Sequence, residues 1–98
     1  MPLSNSQRRY LRGLAHPLHP LVMIGDKGLT PAVLKELEST LLTHELVKVR
    51  ISAPDRETRD SWAGQMVEET GAEVVQRIGH VLTLYRPHPD QPQLALPR

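Results

Sequence analysis

Apolar residues recur along this chain with two periods, one near 3.6 and one of 2, and the changes of period divide it into elements. Leu11, Leu14 and Ala15 keep helical spacing behind Ser4 or Ser6, either of which can cap a first helix ending near Ala15. Pro17 ends that helix before Leu18, and residues 16–20 form a stiff, proline-flanked connector. Leu21 to Ile24 are four apolar residues in a row and read as a short buried parallel strand. After a glycine-bracketed loop, Thr30 and Pro31 give the N-cap and first position of a second helix running to about Thr43. Leu29 and Leu34 have the spacing of a hydrophobic staple, and Val33, Leu34, Leu37 and Leu41 form the helix's apolar stripe. Residues 45–51 then alternate: Val47, Val49 and Ile51 share one face, Leu46, Lys48 and Arg50 the other.

Asp55, just past Pro54, can cap a third helix with Trp62, Ala63, Met66, Val67 and Thr70 on its stripe and Gly71 at its end. Trp62 is read as core. Residues 73–86 form a β-hairpin turning at Gly79, and the second arm, with Val81, Leu82, Leu84 and Tyr85, is the more apolar and so the interior one. The expected fold class is α/β, an α+β two-layer sandwich in which one sheet face is buried and the other basic. From residue 87 on, prolines stand at 87, 89, 92 and 97, so an extended tail over 87–98 follows a single domain over 1–86, with Leu94 and Leu96 as candidates to dock it.

Composition narrows the chemistry. At 98 residues with no cysteine, the chain has no disulfide, thiolate zinc site or cysteine nucleophile. No apolar run approaches the ~20 residues of a membrane span, and the N-terminal residues lack a signal-peptide pattern, so the cytoplasm is the expected compartment, with no membrane partner. The net charge of +1 conceals an uneven distribution. Residues 1–35 carry Arg8, Arg9, Arg12, Lys27 and Lys35 against Asp26 alone, and the remainder is net acidic. A basic N-terminal third suits an anionic partner; a solvated helix face is the plainer account. The histidines show no metal-ligand spacing, so no metal or other cofactor is expected. No nucleophile elbow or Walker loop is present, a sandwich this small leaves little room for a deep pocket, and no small-molecule substrate or enzymatic activity is expected.

The stretch with most chemical content is Gly25, Asp26, Lys27 and Gly28, a Gly-x-x-Gly loop ahead of a helix N-terminus. Glycines admit another backbone, a helix N-terminus offers N–H groups and a positive dipole end, and Lys27 adds charge, so the combination can hold a phosphate. The same glycines can also serve only to turn the chain. RNA readers built on sheet aromatics are excluded, since the chain has no Phe, one Trp and two Tyr.

Leu3-Ser4, Gln7-Arg8, Leu11-Arg12, Ala15, the Val22-to-Thr30 block, residues 45–49, Thr70-Gly71, Ile78-Gly79 and residues 84–86, in this order and spacing, resemble the CRM (chloroplast RNA splicing and ribosome maturation) domain, most closely its stand-alone bacterial YhbY-like form. The resemblance implies an α-β-α-β-α-β-β fold with a four-stranded mixed sheet of order 1-2-4-3, similar to the C-terminal domain of translation initiation factor three. It implies RNA binding and association with precursors of the large ribosomal subunit. By position it makes Gly25, Asp26, Lys27 and Gly28 the RNA-contacting loop, flanked by Arg8, Arg9 and Arg12, with Lys35 nearby; Asp26 opposes a phosphate's charge. Lys48, Arg50 and Arg77 extend the surface if their strand faces are open. A protein-interaction module docking on a ribosomal or translation protein is the alternative.

Overall fold

A computed structural model of the chain describes residues 2–98; Met1, at the start of the expected 1–86 domain, lies outside the described residues. The elements run α1 (Asn5–Ala15), β1 (Val22–Ile24), α2 (Pro31–His44), β2 (Leu46–Ile51), α3 (Arg56–Thr70), β3 (Glu73–Ile78) and β4 (Val81–Tyr85). The sheet has order β1-β2-β4-β3, with β1 parallel to β2 and the other pairs antiparallel.

Local chemistry sets the helix ends. Ser4 closes a capping box with Gln7: its Oγ accepts from Gln7 N–H at 3.2 Å and Gln7 Oε1 accepts from Ser4 N–H at 3.0 Å. Thr30 Oγ1 accepts from Val33 N–H at 3.2 Å, and Asp55 Oδ1 from Thr58 N–H at 2.7 Å. That hydrogen bond from Thr58 is the main reason the Asp55 carboxyl lies below its ordinary pKa. α3 stops at Gly71, whose φ of +73° suits a residue without Cβ. α2 stops instead at Glu45, a non-glycine residue with φ +62°. Gly79 opens the two-residue β3–β4 turn at φ +56°, as a primed hairpin turn requires.

One face of the sheet packs Val22, Ile24, Val47, Val49, Ile51, Leu82 and Leu84 against Leu37 and Leu41 of α2 and Ala63 and Met66 of α3. On the opposite face, Leu11 and Ala15 of α1 bury Leu46, Val75 and Tyr85, and Leu94 and Leu96 of the C-terminal segment pack beside them. A β-bulge between Val74 and Gln76 inserts Val75 into this second cluster. The face expected to be basic is thus covered at its Leu46–Tyr85 end and open at its Arg50–Val81 end.

The first strand departs from its sequence reading. Leu21 to Ile24 do not form a strand buried on both faces: β1 begins at Val22, lies at the sheet edge, and leaves Leu21 52% and Met23 65% exposed. An apolar run records burial preference but not which strands will flank it.

Candidate nucleic-acid interface

The loop after β1 is fixed before any ligand arrives. Gly28 N–H donates to Gly25 C=O at 2.9 Å, and Thr30 N–H donates to Gly28 C=O at 3.1 Å. Gly28 is buried, with φ +73°, and a Cβ built on it would stand 2.9 Å from Trp62 Cζ2. Its bare α-carbon therefore faces the indole of α3, not an incoming backbone, which corrects the expectation that both glycines open the loop to a ligand. Gly25 is exposed, and a Cβ there would meet nothing within 4 Å. Asp26 and Lys27 stand exposed at the tip.

The N-terminus of α2 is a poorer anion site than the sequence suggests. A helix begins with four unsatisfied N–H groups. Here Thr30 N–H is taken by Gly28 C=O, Pro31 has none, and Val33 N–H is taken by the Thr30 hydroxyl, which leaves Ala32. Charge at this end comes chiefly from Lys27 and from Lys35, exposed on α2. Beside the loop, Asp26, Arg50, Ser52 and His80 line an open cleft of about 540 Å³.

The arginines of α1 lie elsewhere. α1 packs at the Leu46–Tyr85 end of the sheet, whereas the loop leaves β1 at the end where Ile24 pairs with Ile51. No hydrogen bond or ion pair among the described residues joins Arg8, Arg9 or Arg12 to the loop. Arg9 and Arg12 are exposed. Arg8 is half-buried, and its Nε donates to Val74 C=O at 3.4 Å.

Of the strand cations, Arg50 is exposed on the open sheet face. Lys48 is half-buried and donates from Nζ to Leu18 C=O at 3.0 Å. Arg77 pairs with Asp60 of α3, on the side of the sheet away from Arg50. Arg86 binds both carboxylate oxygens of Glu38 at 2.9 Å and Thr70 C=O at 2.7 Å, tying β4 to α2 and α3.

Sequence reasoning missed Glu45. The residue is 1% exposed, and its carboxylate accepts N–H groups of His88, Gln93 and Leu94 at 2.6, 2.9 and 2.9 Å, while its carbonyl accepts Arg86 N–H at 2.9 Å. Burial pushes this carboxyl's pKa up, but the three backbone donors and nearby His88 outweigh it, and the group lies below its ordinary value. Burial, with the Glu45 and Glu73 carboxylates beside it, pushes the Tyr85 phenol up. The only hint of the Glu45 role in the sequence is an acid where a helix-ending glycine would be expected.

No group of three or more His, Asp or Glu side chains able to hold a metal ion occurs among the described residues, and no helix there is long and apolar enough to cross a membrane.

The geometry has counterparts. A solution structure of a hypothetical protein from Staphylococcus aureus superposes with a TM-score of 0.82 at 33% identity, covering 98% of this chain and 100% of that one. An RNA-binding protein of Haemophilus influenzae is 49% identical over 96 residues, spanning 98% of this chain and 96% of the relative. A Bacillus subtilis relative named as a probable RNA-binding protein, YqeI, is 30% identical over 95 residues, 97% of this chain and 99% of its own length. The CRS1 / YhbY (CRM) domain matches residues 3–86. With this match across nearly the whole fold, the chain belongs to the CRS1/YhbY (CRM) domain family.

Proposed function

We propose that the chain is a non-enzymatic RNA-binding protein of the cytoplasm that contacts ribosomal RNA in precursors of the large subunit and assists their assembly. Residues 1–86 are the RNA-binding domain and 87–98 its proline-rich tail. The observation that carries the reading is the loop tip: Asp26 and Lys27 are presented on a turn locked by Gly28 against Trp62, beside the cleft that holds Arg50. The names of the Haemophilus and Bacillus relatives support RNA as the partner. Lys27 meets a phosphate, Gly25 lets the sugar–phosphate backbone approach, and Lys35 adds to the field. Arg9 and Arg12 hold phosphates at a second point, beyond the far end of the sheet, with Arg8 partly engaged by the protein itself.

Backbone capture of this kind releases counterions. Three to five phosphate contacts give a log–log salt slope of roughly −2 to −4. Binding of a labelled large-subunit rRNA fragment, followed across a salt series, tests RNA recognition; co-sedimentation with precursor particles from cells tests the assembly role. Absence of binding at low salt would refute the first, and exclusive recovery away from those particles the second.

A docking reading has its own observation. An apolar groove of about 530 Å³ runs between Leu14, Leu18, Leu21, Leu46 and Leu94, with Leu21 52% exposed. A partner protein of the ribosome or of translation would use this groove, and its binding would resist salt and competing polyanion.

A further inference from the structure

The register places one row of side chains straight across the open half of the sheet. Met23 of β1 pairs with Arg50 of β2, Arg50 with Val81 of β4, and Val81 with Ile78 of β3. The neighbouring row is Lys48, Thr83 and Gln76. Both rows lie on the face away from α2 and α3, because their strand neighbours Val22, Ile24, Val49 and Leu82 point into the main core. The Met23–Arg50–Val81–Ile78 row is the open one; in the neighbouring row Thr83 is only 2% exposed and Lys48 is half-buried, its Nζ donating to Leu18 C=O. Met23 is 65% and Ile78 66% exposed, and each sits on an edge strand. Edge strands ordinarily carry charge at such positions, so two large apolar side chains there call for a ligand.

We infer that this row is a base-contacting surface for two or three unpaired nucleotides of RNA, on which Met23, Arg50 and Ile78 act in place of aromatic side chains. The inference rests on the RNA-binding reading and adds what the phosphate loop cannot supply, a surface for bases. Charge selects the occupant. The two rows contain two cations and no acid, which favours a polyanion with flat apolar faces over an acid-bearing protein surface. Arg50 belongs both to the row and to the cleft beside Asp26, so the surface continues into the proposed phosphate loop. The guanidinium plane is itself a stacking platform for a base, and the thioether of Met23 is polarizable. The width also fits. Three interstrand spacings of about 4.8 Å carry the row across roughly 14 Å, and a four-stranded sheet of this breadth stacks two or three bases in aromatic readers. A shallow cavity of about 230 Å³ between the rows, bordered by Gln76 and Lys48, offers polar groups to a base edge.

The double variant Met23→Gln/Ile78→Thr removes apolar surface without removing charge, and the single variant Arg50→Lys keeps the charge while losing the plane. Each is compared with the parent on a short fluorescein-labelled single-stranded RNA and on the same strand annealed to its complement, with folding verified by circular dichroism. The expected result is a loss of about fivefold or more in single-strand affinity for each variant, the lower end of what base-stacking side chains contribute. The salt slope should stay at the parental value, since every cation is retained, and duplex affinity should not change. Parental single-strand affinity in both variants overturns the base surface while leaving RNA binding through the loop intact, and so does an equal loss on single strand and duplex. A parent that binds neither RNA overturns the RNA-binding reading and this one with it. Should the double variant fail to fold, Arg50→Lys decides alone.

Discussion

Gly28 and Trp62 are matched as a hole and its plug: the position where a Cβ would stand on Gly28 is 2.9 Å from Cζ2 of the indole. The glycine is required twice over, by its φ of +73° and by the ring. A Gly28→Ala variant should lose about 2–4 kcal/mol, combining the left-handed cost with the overlap. Its unfolding can be followed by the fluorescence of Trp62, the one tryptophan in the chain. In a Trp62→Leu background, monitored by circular dichroism, only the backbone cost of about 1 kcal/mol should remain. An undiminished cost there would show that the indole is not what excludes the Cβ. Gly25→Ala, with no neighbour to meet, should change stability by less than about 0.5 kcal/mol.

That pair also marks where the sequence stops being legible. The caps at Ser4, Thr30 and Asp55, the hairpin turn at Gly79 and the interior place of β4 depend on neighbours a few residues away, and all are readable from local chemistry. Gly28 is readable as a turn glycine, but the ring that excludes its side chain belongs to a helix far along the chain. Met23 reads as buried because a run of four apolar residues cannot tell an edge strand from a central one. Arg8 resembles Arg9 and Arg12 in sequence, yet its Nε reaches the Val74 carbonyl of β3, a partner far along the chain. Glu45 reads as the first residue of the strand over 45–51, and only the returning tail makes it a buried acceptor. The loop's tip, Asp26 and Lys27, is legible because its exposure needs no distant partner.

Glu45 holds the tail with three charge-assisted hydrogen bonds, from a backbone whose φ of +62° is itself strained. Glu45→Gln keeps the shape but leaves one oxygen and a donor where only N–H groups point. A loss of about 1–3 kcal/mol is expected, because hydrogen bonds to a charged group are the strong ones. Amide exchange at Gln93 and Leu94 should quicken more than at the core strands. Equal protection in variant and parent would mean the tail is held by Leu94 and Leu96 alone.

The same carboxylate gives a pH dependence of known sign. Its pKa in the folded protein lies below the ordinary 4.5. The unfolded chain therefore binds more protons between the two values, and stability falls as pH falls. The clasp should be intact above about pH 5 and weaken as the pH drops through the lowered value. Parallel acid titrations of parent and Glu45→Gln by chemical denaturation check this. The parent's excess stability should shrink in that window, and a constant difference down to acid pH would count against the assignment.

The arginines of α1 should divide into two kinds. Arg9→Ala and Arg12→Ala remove exposed charge and should leave stability within about 0.5 kcal/mol while lowering RNA affinity. Removing one phosphate-binding cation makes the salt slope shallower by nearly one. Arg8→Ala removes, in addition, a long hydrogen bond to Val74 and the packing of its stem, so a stability loss of about 0.5–1 kcal/mol should accompany its smaller effect on RNA. Three indistinguishable variants would dissolve the distinction.

Lys27 and Asp26 give the most direct test of the loop, because they are adjacent, exposed and opposite in charge. The fold depends on neither: the turn is closed by Gly28 N–H to Gly25 C=O and braced by Trp62. Lys27→Ala and Asp26→Asn should therefore both fold with parental stability. If a phosphate sits at the loop, removing the cation weakens binding and makes the salt slope shallower by nearly one. Removing the anion strengthens binding, because a like charge no longer opposes the ligand and Lys27 is freed from partial neutralisation. At a few ångströms' separation in a water-rich setting each effect should be about 1 kcal/mol, close to a fivefold change in affinity, and both should fade at high salt. A loop that only turns the chain leaves both variants at parental affinity. The opposite signs are the decisive feature, since a general disturbance of the loop would weaken binding in both variants, and only a phosphate between the two charges moves them apart.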